Sequence, residues 1–233
     1  METRHIDGYE CLLRWNSPAL GMVPPNEFIA IAEKTGLIVH IGEWVLRQAF
    51  SFVKEIYSRH GDWVNVSVNV SVVQIMQKGF SERVIALLEE AEIPADTITL
   101  EITESVFIRS FNDVIQCITK LKERGFRLSI DDFGTGYSSL SYLKRLPFDE
   151  LKIDRSFIID IESNEQTERV LGTLVLLAQQ HDMEVVVEGI ETPQQLELIE
   201  KSGCDRVQGY LTGKPLLKED AIDLLCSGAE VVP

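Results

Sequence analysis

The chain has 233 residues, 45% apolar and 25% charged, and its 22 basic against 37 acidic side chains leave a net charge of −15. That composition excludes a disordered chain, and that charge excludes a general basic surface for a DNA or RNA polymer or an anionic membrane. No apolar run approaches the roughly 18 residues of a membrane span, no signal-peptide pattern opens the sequence, and Cys11, Cys117, Cys204 and Cys226 show no C-x-x-C spacing, which argues against a disulfide framework or zinc site and for a reducing, cytoplasmic setting.

Short apolar strands alternate with amphipathic helices. Strands are expected near 6–15, 63–70, 97–103, 126–131, 149–154, 183–189 and 204–208. Helices are expected near 25–35, 41–60, 80–92, 110–124, 138–145, 164–182, 192–202 and 217–226. Ser110 and Gly125 read as N-cap and C′ residues of one helix, and Thr192-Pro193 opens another with proline at its first position. No linker, low-complexity stretch or repeat divides residues 1–233, so a single domain is expected.

Strand–helix repetition implies a parallel sheet covered by helices. A closed (β/α)8 barrel needs eight strands; with seven, either the barrel lacks its first strand or the sheet is open and doubly wound. The run "VNVSVNVS" puts Asn65, Ser67, Asn69 and Ser71 on one face and Val64, Val66, Val68 and Val70 on the other. That alternation fits a barrel strand with a polar inner face, the alternative being an exposed edge strand.

Successive strands end in polar groups: Glu10, Asn69, Glu101 with Glu104 just beyond, Asp131-Asp132, Lys152, Glu188 and Gln208. Parallel strand ends converge on the rim of a barrel that carries chemistry. Each residue alone could be a solvated turn or a helix cap, and Lys152 could pair with Asp154, which shares its face. Together the carboxylates would repel one another without a partner. One lysine cannot balance them, whereas divalent cations can. The donors are oxygens, and His5, His40, His60 and His181 lie away from the strand ends, so Mg²⁺ or Mn²⁺ is favoured over zinc. Adjacent Asp131 and Asp132 suit a pair of ions roughly 3.5–4 Å apart, as in phosphate-ester hydrolysis. Ca²⁺, larger and more loosely coordinated, is expected to inhibit.

The stretches "GYECLLRW", "VNVSVVQI", "LEITES", "DDFGTGYSSLSYLKRLPFDELKIDRSFI", "VVVEGIET" and "VQGYLTGKPL" resemble the EAL domain family, bacterial phosphodiesterases for cyclic di-GMP. The resemblance runs from residue 8 to 216. It implies an α/β fold, a (β/α)8-like TIM-type barrel, and hydrolysis of cyclic di-GMP to pGpG. It implies that Glu10, Asn69, Glu101, Asp131 and Asp132 hold two metal ions, that Lys152 helps hold the attacking water, and that Glu188 is the general base. Arg14 would grip a substrate phosphate, Gln208 would support the site, and Glu104 would anchor the loop 132–139. Family members commonly form homodimers, here through 134–146, and the full-length protein is expected to carry sensory or GGDEF domains upstream.

Cys11 replaces the alanine of the family's signature, one small residue for another. The family's first helix and first strand, the latter with a Tyr-Gln-Pro motif, are missing ahead of residue 6, so an N-terminally truncated EAL domain is expected. The competing reading is a receptor that binds cyclic di-GMP with weak or no turnover. A lyase barrel of the enolase type would need a base on another strand and a capping domain, and neither is visible.

Overall fold

The structure is a computed structural model that describes residues 5–104, 111–134 and 146–228. They fall into two compact units, one from Asp7–Ile102 and Ile108–Arg127, the other from Met1–Ile6, Thr103–Phe107 and Leu128–Pro233. The expected helix over 138–145 and the Ser110 cap lie outside the described residues.

In the first unit, β1 is Gly8–Cys11, β2 Trp15–Ser17, β3 Gly21–Val23, α1 Pro25–Thr35, α2 Ile38–His60, β4 Asn65–Asn69, α3 Val72–Ile75, α4 Phe80–Ala91, β5 Ile98–Thr103 and α5 Phe111–Arg124. Strands β1 and β5 both pair with β4 in parallel. Helix α1 has the limits read from the sequence because its ends are chemically marked: Pro25 starts it, and Gly36 at φ 77° stops it. Helix α2 buries Leu46, Ala49, Phe50, Val53 and Ile56 at helical spacing, and it packs on β4, whose Val66 and Val68 are also buried. Each such side chain contributes roughly 1.5–3 kcal/mol by leaving water. Gly125, at φ 105°, closes α5 as expected, its N–H donating to Lys122 O at 2.9 Å.

Two readings are corrected here. The strand expected over 6–15 is only four residues long, and the chain then forms an antiparallel hairpin, β2 with β3, joined through Gly21 at φ 71°. A run of mixed apolar residues does not show where a strand changes partner. The alternation through Ser71 also ends early. Strand β4 stops at Asn69, and Ser71 caps α3, accepting from Val73 N at 3.2 Å while Gln74 returns the bond to Ser71 N. The Ser71 hydroxyl donates to Glu33 of α1.

In the second unit, β6 is Arg127–Phe133, β7 Glu150–Ile153, α6 Glu165–Gln179, β8 Glu184–Glu188, α7 Pro193–Ser202, β9 Arg206–Gln208 and α8 Lys218–Ser227. The pairing β6-β7-β8-β9 is parallel throughout. Val185, Val186 and Val187 are all buried, the continuous apolar run of a strand covered on both faces. Strand starts are tied by a repeated device. Asp149 Oδ2 accepts from Leu128 N, and Asp205 Oδ2 from Val185 N, both at 2.8 Å. Helix α7 begins with the expected Thr192 cap and Pro193, in a capping box with Gln195.

Candidate active site

The first unit brings together three of the expected residues. Glu10 lies on β1, Asn69 ends β4, and Glu101 lies on β5. Asn69 Nδ2 donates to Glu10 Oε1 at 2.7 Å. Asn69 is the register partner of Glu101, and Val70 N donates to Glu101 O at 2.9 Å. Glu101 is 2% exposed, a carboxylate inside the fold. The neighbouring thiol reports the local potential. Cys11 is pushed up from 9.0 to about 11, first by burial and then by the charges of Glu10 and Glu101. Arg14, in the segment after β1, is exposed and donates to Leu13 O at 3.0 Å; no acid pairs with it among the described residues.

In the second unit the two aspartates sit on a β-bulge. Ile130 pairs with Leu151 and Phe133 with Ile153, so Asp131 and Asp132 together oppose the single residue Lys152. Asp132 takes the extra position at φ 54°, in the left-handed region that aspartate tolerates better than most side chains. Phe133 is buried again on the far side. Lys152 is 2% exposed, and its Nζ lies 2.7 Å from Glu188 Oε1 and 3.5 Å from Asp131 Oδ1. Asp154 is not its partner: Asp154 Oδ1 accepts from Ser156 N at 3.0 Å and caps a short 3-10 turn. Glu188 ends β8 and pairs in register with Gln208 of β9. Glu104 N donates to Asp131 O at 3.2 Å, and Glu104 Oε2 accepts from Gly134 N at 3.3 Å. Gly134, at φ 92°, lies so near the Phe157 ring that a Cβ would come within 2.6 Å of it. The rest of the loop 132–139, and most of the dimer segment expected at 134–146, lie outside the described residues.

Among the described residues no three Asp, Glu, His or Cys side chains form a ready metal cage. The donors nonetheless fit a hard divalent cation. They are carboxylate and amide oxygens, and Asp131 Oδ1 is buried without a hydrogen bond. A buried carboxylate oxygen in that state calls for positive charge, which Lys152 supplies only from 3.5 Å. The sequence located these acids but not the bulge. Adjacent aspartates are visible as letters, whereas their shared place opposite Lys152 is a property of register.

Comparison with known proteins bears on both units. The EAL domain family matches residues 1–215. Cyclic di-GMP phosphodiesterase NbdA of Pseudomonas aeruginosa is 40% identical over 207 residues, which are 89% of this chain and 26% of that protein. A solved structure described as "PaMucR Phosphodiesterase, c-di-GMP complex" matches with a TM-score of 0.86 at 40% identity, covering 92% of this chain and 87% of that one. The EAL domain of Mycobacterium smegmatis DcpA matches with a TM-score of 0.77 at 38% identity, covering 82% and 86%. The fold is the (β/α)8-like TIM-type class of these neighbours, with seven parallel strands among the described residues. The chain spans about a quarter to two fifths of the length of the curated relatives it matches, from 26% for NbdA to 38%.

Proposed function

Because the chain belongs to the EAL domain family, we propose that it is a phosphodiesterase that opens cyclic di-GMP to linear pGpG, and that residues 1–233 act as one catalytic domain. The observation that carries this reading is Lys152, an ammonium 2% exposed and 2.7 Å from Glu188. A buried lysine held on a strand-end glutamate is costly unless the pair is satisfied, and it keeps that glutamate pointed where a base is needed.

Glu188 takes the proton of a water that attacks phosphorus in line; the P–O bond to the 3′ oxygen breaks, and a proton later returns to that oxygen. Lys152 orients Glu188 and the water. Gln208, beside Glu188 in register, supports the site from β9. Arg14, exposed after β1, suits a bidentate grip on a substrate phosphate. Glu10, Asn69, Glu101, Asp131 and Asp132 would hold two Mg²⁺ or Mn²⁺ ions. Bound there, the ions supply counter-charge for the phosphoryl oxygens and make water a better acid. Glu104 fixes the start of the loop at Gly134. The same reading assigns a cytoplasmic homodimer, inhibition by Ca²⁺, and upstream sensory or GGDEF domains.

Purified protein with Mg²⁺ or Mn²⁺ should convert cyclic di-GMP to pGpG. Glu188→Gln should cut kcat by about a thousandfold and leave nucleotide binding in place. Tight binding with no turnover in either metal would replace the enzyme by a receptor.

A further inference from the structure

The turn that leaves β4 is held by more bonds than its short helix needs. Helix α3 is four residues long, and its capping box is complete in itself: Ser71 Oγ accepts from Val73 N at 3.2 Å, and Ser71 N donates to Gln74 Oε1 at 3.1 Å. A single turn leaves little helix to stabilise. Yet the Ser71 hydroxyl also donates to Glu33 Oε1, a carboxylate in the last turn of α1. Gln74 is 3% exposed and lies against α2, where a Cβ on Gly42 would come within 1.9 Å of Gln74 Nε2, so the glycine makes room for the amide. Helices α1, α2 and α3 of the first unit therefore all grip this turn.

What the turn holds is Asn69, the last residue of β4 and two places before Ser71. Val70 N, donating to Glu101 O at 2.9 Å, ties the exit of the strand to β5. The bond from Ser71 to Glu33 ties it to α1. Asn69 Nδ2 donates to Glu10 Oε1 at 2.7 Å, so the donor side of the amide is committed and its oxygen is the atom left for an ion. An amide oxygen brings no net charge to a cation, and its worth as a ligand depends on where its dipole points. We propose that Glu33 is a positioning residue for the metal site: by accepting the Ser71 hydroxyl it fixes the backbone that leaves β4, and with it the direction of the Asn69 amide. This rests on the metal assignment of the phosphodiesterase reading above. Side chains that orient a ligand without touching the ion typically set metal affinity by about 10–100-fold. Glu33 acts only through Ser71, so the two residues should behave as one unit in binding.

Titration of the full chain with Mn²⁺ alone, followed by the electron paramagnetic resonance of the free ion, tests this. Glu33→Ala and Ser71→Ala should each weaken Mn²⁺ binding about tenfold. Glu33→Gln and Ser71→Thr, which keep the acceptor and the hydroxyl, should recover most of that loss. Glu33→Ala placed on Ser71→Ala should weaken binding no further. Urea unfolding of each variant separates positioning from support of the fold. A bond that is merely structural lowers the urea midpoint and leaves Mn²⁺ affinity unchanged, and that outcome overturns the proposal. A glutamine variant as weak as the alanine variant, or an added loss in the double variant, overturns it as well. A wild-type chain that binds Mn²⁺ but does not cleave cyclic di-GMP removes the phosphodiesterase and leaves the positioning role standing. A wild-type chain that binds no Mn²⁺ overturns both.

Discussion

Strands β7, β8 and β9 meet one cation and two carboxylates at their starts, and a second such triad gathers toward the ends of β6, β7 and β8. At the starts, Arg206 Nη1 lies 3.0 Å from Glu150 Oε2 and 3.1 Å from Glu184 Oε2. Toward the ends, Lys152 lies 2.7 Å from Glu188 and 3.5 Å from Asp131. The first triad places both carboxylates at hydrogen-bond distance from a guanidinium that reaches solvent, with no strained backbone at Glu150, Glu184 or Arg206. The second is buried, leaves Asp131 Oδ1 without a hydrogen bond, and borders a bulge with Asp132 in the left-handed region. Arginine suits a permanent ion pair, whereas lysine is the cation that can work in chemistry. In a parallel barrel the strand starts hold the fold together and the strand ends react. At the strand ends of this unit the buried Asp131 Oδ1 without a hydrogen bond and the left-handed Asp132 lie side by side, a cost that function can offset.

The sharpest way to break that contrast is Lys152→Met. Removing one partner from a buried ion pair costs about 3–5 kcal/mol, and kcat should fall about a hundredfold as Glu188 loses its support. Urea unfolding and initial rates measure the two effects, and a variant of normal stability and rate would erase the distinction between the ends.

Arg206→Met is the counterpart at the strand starts. Glu150, whose side chain is 6% exposed, loses its cation, and stability should drop by about 1–3 kcal/mol with kcat unchanged. A large loss of kcat here would mean that the starts also serve the reaction.

The smallest effect separates two thiols. Cys11 is raised from 9.0 to about 11 by burial and then by Glu10 and Glu101, and Cys204 from 9.0 to about 12 by burial and then by Asp205. Below pH 9 both are protonated whether the chain is folded or not, and the stability they allow is complete. Above pH 9 the unfolded chain releases these protons first, so stability falls until the folded thiols ionise near 11 and 12. Unfolding free energies from urea titrations should therefore fall from pH 9 to 10 by about 1 kcal/mol per thiol, and Cys11→Ala with Cys204→Ala should flatten the slope. An unchanged slope would mean that neither thiol is buried as described.

Much of this was legible in the letters, and the exceptions share a cause. Helix α1 could be read because Pro25 and Gly36 mark its ends. The strand-end acids could be read because each closes an apolar run. Relations between strands could not. The hairpin of β2 with β3 hid inside one expected strand, Ser71 left the strand to cap α3, and Lys152 chose Asp131 and Glu188 on flanking strands over Asp154 two places along its own. Local sequence sets propensity and period; partners across a sheet depend on register, which no single segment encodes.

The doubled aspartate has a bearing on how such chains should be aligned. With two residues set against Lys152, the backbone is one residue longer than its neighbour between Ile130 and Phe133. A homologous sequence with a gap at position 132 has therefore lost a bend as well as a carboxylate, although its next aromatic would still fall opposite Ile153. Substitution tables score that difference as a single missing letter, but it amounts to another backbone path.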